Sequence, residues 1–102
     1  GEMPQVVEVS LERVVLLGRV DPATNVFPEV DLSQNGDLSK SISRRHAQIL
    51  KQEAMVVIED LSSINGTYLN GKRLTPYLPE LLVDGDTLRL GKLPIRVKIR
   101  KQ

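Results

Sequence analysis

Arg19, Ser43, Arg44, His46 and Asn65 are polar residues placed where apolar runs begin or end. Their chemistry suits an anion. The arginine side chain presents a planar fork of donors that matches phosphate or carboxylate through two parallel bonds, which lysine cannot copy. Ser43 adds a hydroxyl, and Asn65 carries both a donor and an acceptor. Catalysis is a poorer match. Ser43 and His46 stand three apart in Ser41-Ile42-Ser43-Arg44-Arg45-His46, the spacing of a possible nucleophile and base. Two arginines separate them, however, no Gly-x-Ser-x-Gly elbow is present, and no carboxylate is obviously placed to orient the imidazole. His46 is the one histidine and there is no cysteine, so no metal-ligand set can be assembled. A phosphate-cradling Gly-x-x-x-x-Gly-Lys loop is also missing. The expectation is a binding module, not an enzyme, with no metal and no cofactor.

The bulk properties narrow the partner. The 102 residues suit one compact domain, expected to span 1–102 with its core motifs at about 14–100. Gly1-Glu2 before Met3 reads as a remnant or linker, within residues 1–4, on a piece of a longer protein. With 14 basic and 13 acidic side chains the net charge is +1, so anion recognition has to be local. That balance argues against nucleic acid. No apolar run reaches the ~20 residues that cross a bilayer, and no signal peptide opens the chain. The absence of cysteine fits a reducing compartment, and a cytoplasmic location is expected.

The elements that must position these side chains are strands. Val56 and Ile58 alternate with Met55 and Val57, Leu88 and Leu90 flank Arg89, and Ile95, Val97 and Ile99 alternate with Arg96, Lys98 and Arg100. The basic row on the last strand reads as a solvated sheet face. Asn35-Gly36, Asn65-Gly66, Asn70-Gly71 and Asp84-Gly85 are turn dipeptides, and Asn70-Gly71 has the pattern of a two-residue hairpin. Asp21 to Ser43 is the longest weakly patterned stretch; a short edge strand is expected within Val26–Leu32, near Pro28. The fold class is therefore all-β, an antiparallel sandwich. Arg19 follows Gly18, which is expected to free the backbone to turn. Three polar loops, around Arg19, Ser43 and Asn65, can converge if their strand ends share one pole.

Gly18-Arg19, then Ser43-x-x-His46, then Asn65-Gly66-Thr67 with Asn70-Gly71, then Gly85-Asp86-x-Leu88-x-Leu90-Gly91, resembles a forkhead-associated (FHA) domain. The resemblance implies about eleven short strands with apical loops that bind phosphothreonine in a partner protein, as in signalling. It implies phosphate contacts from Arg19 and Ser43, and a third from Arg44 through side chain or backbone. It implies that Asn65 bonds the peptide backbone just past the phosphothreonine, and that Gly18, His46, Gly66 and Thr67 support the loops. The chain departs from the family at Ile64, where Thr or Ser is frequent and would add a phosphate ligand; weaker affinity is expected. Ser33 to Ser41 and Thr75 to Leu81 are the loops expected to set the choice of residue after the phosphothreonine. The alternative is a phosphate-independent scaffolding or oligomerisation domain of the same fold, using a stripe such as Val14 and Leu16 on an uncovered strand.

Overall fold

The computed structural model describes residues 4–100; the proposed remnant at Gly1-Glu2 lies outside them. Ten strands form two five-stranded sheets. The first sheet holds β1 (Gln5–Ser10), β10 (Leu93–Arg100), β9 (Thr87–Leu90), β6 (Thr67–Leu69) and β7 (Lys72–Arg73), in that order. The second holds β3 (Val30–Asp31), β2 (Val15–Gly18), β4 (Arg45–Gln52), β5 (Met55–Asp60) and β8 (Glu80–Leu81). The all-β sandwich is as expected, with ten strands in place of about eleven. Its sheets are mixed, because β1 pairs parallel with β10 and β3 parallel with β2. Both parallel pairs join segments distant in sequence or separated by a crossover, where no hairpin dictates direction.

Period-two alternation sets which residues meet between the sheets. Leu17, Ile49, Ile58, Leu88, Leu90, Ile95 and Val97 have no exposed surface and form the centre of the core. Val56 and Ile99 pack against it, while Arg96 and Lys98 face solvent. Val14 is exposed and Leu16 half-buried, and neither belongs to the core. Leu16 shares the outer face of its sheet with Leu50, Val57 and Leu81, the last three aligned across β4, β5 and β8.

The weakly patterned stretch folds around two short 3-10 helices, Pro22–Thr24 and Gly36–Ser41. The strand expected across Val26–Leu32 is only Val30–Asp31, at the sheet edge near Pro28 as anticipated. Val26 instead bridges back to Asp21, closing a tight loop. Asn70-Gly71 makes the expected hairpin, with φ of 49° and 88° and Leu69 opposite Lys72.

The register answers the question of convergence. Gly18 at the end of β2 pairs with Arg45 at the start of β4. Asp60 at the end of β5 pairs with Ala47, and Thr67 at the start of β6 pairs with Leu90 at the end of β9. In each sheet the strand ends that lead into these loops are therefore neighbours. The loop after Gly18, the loop before Arg45 and the loop between Asp60 and Thr67 meet at one pole.

Candidate functional site

The pole is built from the backbone outward. The β2–β4 register shifts between Leu17 and Gly18, so that Leu17 faces Ala47 but Gly18 faces Arg45. This irregularity breaks the alternation of β4, and His46 and Ala47 are both buried. It also draws the two strands together: a Cβ on Gly18 would stand 1.9 Å from the Arg44 carbonyl oxygen. Gly18 is thus required by close approach and not, as expected, by freedom to turn, since its φ is not in the left-handed region. The Arg19 amide donates to that same Arg44 carbonyl at 3.1 Å, which clamps the two loops side by side.

Arg19 is half-buried, and its Nε donates to the Ile42 carbonyl. That bond fixes the guanidinium plane and leaves the two terminal amino groups for a ligand. Ser43 accepts the Ile64 amide on Oγ at 3.1 Å, so its hydroxyl hydrogen can be donated outward. Arg44 Nη1 lies 2.6 Å from Asp21 Oδ2, an ion pair that occupies the expected third phosphate ligand. Arg19, Ser43, Arg44 and Arg45 share the lining of one open groove of about 430 Å³ with Thr24, Val26 and Ile64. Ile64 is 84% exposed, so the position of the family departure does face the groove.

His46 is buried completely, and its two ring nitrogens both serve the loops. Nδ1 accepts the Ser43 amide at 3.0 Å, which leaves the proton on Nε2, donated to the Gly66 carbonyl at 2.9 Å. Burial holds its pKa below the ordinary 6.5, against the pull of the Gly66 carbonyl and the nearby Asp60 charge. Ser43 meets the imidazole through its backbone amide, so the hydroxyl and the ring are not arranged as nucleophile and base. The Gly66 carbonyl accepts a second bond from the Gly91 amide at 2.9 Å, and Gly66 itself has φ of 86°. Thr67 is buried and donates to Asp60 Oδ1 at 2.6 Å. All four residues expected to support the loops therefore make contacts inside them.

Asn65 sits at the edge of this assembly. Its Nδ2 donates to the Ser41 carbonyl at 3.0 Å, and Oδ1 remains as an acceptor for a passing peptide amide. It lines a neighbouring groove, not the one shared by Arg19 and Ser43.

Three residues that sequence reasoning missed complete the pole. Asp60, 2% exposed, accepts the Ser63 hydroxyl at 2.6 Å, the Ser63 amide and the Thr67 hydroxyl, and so shapes the loop that carries Ile64 and Asn65. The Asp60-x-x-Ser63 spacing, at which a carboxylate can accept the amide and hydroxyl three residues on, is the signal that could have found it. Asp21 accepts Thr24 Oγ1 at 2.8 Å besides pairing with Arg44. Ser41 joins three segments: its hydroxyl donates to Leu38 and accepts the Lys92 amide, and its carbonyl accepts Asn65.

Known proteins resemble this chain in sequence and fold. The FHA domain family matches residues 15–91, the span that includes every motif of the pole. The chain belongs to the FHA domain family. Among curated relatives, an oxoglutarate dehydrogenase inhibitor of Corynebacterium diphtheriae is 34% identical over 77 residues, covering 76% of this chain and 50% of that protein. Protein FraH of a Nostoc species is 39% identical over 79 residues, covering 78% of this chain and 26% of its own length. This FHA domain thus spans half or less of those relatives. A solved structure concerned with phosphothreonine-dependent FHA domain interactions superposes with a TM-score of 0.66 at 27% identity, covering 87% of this chain and 79% of that one. The MEK1 FHA domain in complex with a HOP1 phosphothreonine peptide gives 0.63 at 26% identity, covering 86% and 82%. Among the described residues of this FHA domain, no helix is long and apolar enough to cross a membrane.

Proposed function

We propose that this FHA domain binds a phosphothreonine-containing segment of a partner protein in the groove between Arg19, Ser43 and Arg44, without catalysing a reaction. The observation that carries the reading is the common lining of one groove by a fixed arginine, a serine hydroxyl with a free proton and a second arginine. A phosphothreonine brings about −1.5 to −2 charges and three acceptor oxygens to such donors. Hydrogen bonds to charged groups contribute ~1.5–3 kcal/mol each, so two of them give at least ~3 kcal/mol, roughly 100-fold between phosphorylated and plain peptide. The FHA domains solved with phosphothreonine peptides support a phosphothreonine ligand for this domain.

Val26 and Ile64 add apolar surface to the groove, against which the threonine methyl would rest. Asn65 would accept or donate to the peptide backbone beyond the phosphothreonine and keep it extended. A reducing, cytoplasmic setting suits a cysteine-free reader of phosphorylated proteins. Calorimetric titration with phosphothreonine, phosphoserine and unmodified versions of oriented peptide pools tests the reading. Binding that requires the phosphate, and favours threonine over serine, supports it; equal binding of the unmodified pool would overturn it in favour of a phosphate-independent scaffold.

A further inference from the structure

Of the four threonines, Thr67 is buried, Thr87 is half-buried, and Thr24 and Thr75 are exposed. Thr24 alone among them lines the Arg19–Ser43 groove. The backbone sets its position there. Pro22 fixes φ at the start of the 3-10 turn Pro22–Thr24, and the Thr24 amide donates to the Asp21 carbonyl at 3.2 Å. Asp21 and Val26 then close the loop through two reciprocal backbone bonds of 2.9 and 3.0 Å. The Thr24 side chain is thereby held on the rim of the groove.

Thr24 Oγ1 donates to Asp21 Oδ2 at 2.8 Å, and Arg44 Nη1 lies 2.6 Å from that same oxygen. The hydroxyl and the guanidinium are thus joined through one carboxylate oxygen, a gap that a phosphoryl group spans. Arg19 and Arg45 add to the positive lining, and no carboxylate is among the lining residues. No ion pair among the described residues occupies either of them. A phosphate on Thr24 brings about −1.5 to −2 charges and three acceptor oxygens, and removes the proton that Thr24 gives to Asp21. Asp21 is then a like charge beside it and is repelled. Arg44, exposed on the rim, turns to the stronger anion.

We infer that Thr24 is a regulatory phosphorylation site: a phosphoryl group on its hydroxyl pairs with Arg44 and closes the groove to phosphopeptides. The inference rests on the phosphothreonine reading of that groove. The donor is ATP, acting through a threonine kinase. Its γ-phosphoryl passes to Thr24 Oγ1, the hydroxyl proton passes to the kinase's catalytic base, and ADP departs. An incoming phosphopeptide then meets a charge of its own sign where it needs donors. It forfeits at least one charge-assisted hydrogen bond, about a 10-fold loss in affinity. The domain is silenced by the same kind of modification that creates its ligand.

The test compares three forms of the whole chain, assembled by chemical ligation: unmodified, phosphorylated at Thr24, and phosphorylated at Thr75. Thr75 is the control, an exposed threonine outside the groove. Thermal unfolding shows that all three are folded. Calorimetric titration with one phosphothreonine peptide should show a loss of at least about 10-fold with the Thr24 phosphate and little change with the Thr75 phosphate. Phosphorus NMR against pH should give the Thr24 phosphate a second pKa below that of the Thr75 phosphate, and Arg44→Ala should close that gap. Equal titration of the two phosphates, or undiminished peptide binding with Thr24 phosphorylated, would overturn the inference. An equal loss from the Thr75 phosphate would overturn it as an effect of net charge. Concentration-dependent association of the Thr24-phosphorylated chain would also overturn it, because the phosphate would then be a ligand for a second copy. If the unmodified chain does not prefer phosphorylated over plain peptide, the phosphothreonine reading itself fails, and the NMR comparison still decides whether the Thr24 phosphate meets Arg44.

Discussion

The carboxylate of Asp21 and the guanidinium of Arg44 stand 2.6 Å apart on the rim of the Arg19–Ser43 groove. The Arg44 bond, followed by that from the Thr24 hydroxyl, holds the Asp21 carboxyl below its ordinary value, so it stays charged at neutral pH. Asp21 therefore occupies an arginine that a phosphate would use, and adds a like charge nearby. A phosphopeptide has to share Arg44 with Asp21 or displace it. We expect Asp21→Asn to tighten phosphopeptide binding by about 3- to 10-fold at low salt, with a smaller gain at high salt. Calorimetry of Asp21→Asn beside Asp21→Asn/Arg44→Ala checks this, because the gain should vanish in the double variant. Weaker binding in Asp21→Asn would mean that the carboxylate orients Arg44 for the ligand.

The completely buried His46 makes the pole sensitive to acid. Its folded pKa is depressed by burial, whereas the unfolded chain titrates near 6.5. Below that value the unfolded state binds more protons than the folded state, so acid favours unfolding. Stability is full above about pH 6.5 and falls as pH drops toward the depressed folded value, where protonated Nδ1 can no longer accept the Ser43 amide. Urea unfolding at about pH 8 and about pH 5.5 should show this loss in wild type and a flatter dependence in His46→Gln. Identical slopes would assign the acid sensitivity elsewhere. Asp21 and Asp31 also have lowered pKa values, but their shifts act below the carboxylate range and outside this window.

Ile64 points a hydrocarbon side chain into a groove otherwise rich in donors. Replacing it with threonine adds a hydroxyl without disturbing the core, since the side chain is 84% exposed. One added hydrogen bond to a charged group would contribute about 1.5 kcal/mol, or roughly a 10-fold gain in affinity. The check is titration of Ile64→Thr with the same peptide as wild type. No gain would show that the threonine hydroxyl does not reach the phosphate.

Much of this arrangement was legible in local sequence. Alternation in Val56–Ile58, Leu88–Leu90 and Ile95–Ile99 reports burial directly, because one strand face is wet and the other dry. The Asn70-Gly71 hairpin was legible for a similar reason, since it needs only two left-handed residues. Long-range relations were not. The role of Gly18 depends on the Arg44 carbonyl 26 residues later, and nothing beside Gly18 marks it. Asp21 reads as a loop acid until the fold brings it to Arg44. The parallel pairing of β1 with β10 joins the two ends of the described chain, where no turn restricts the choice. Val14 and Leu16 were ambiguous because an apolar residue on an outer sheet face looks like core until its neighbours are known.

Arg19 has its guanidinium anchored to the Ile42 carbonyl and lines the groove shared with Ser43. The most direct measurement is calorimetric titration of wild type and Arg19→Ala with one phosphothreonine peptide, with thermal unfolding to show that both are folded. We predict at least a 100-fold loss in the variant, which reduces phosphopeptide binding to that of the unmodified peptide. Undiminished binding in a folded Arg19→Ala protein would contradict the account and move the site away from this pole.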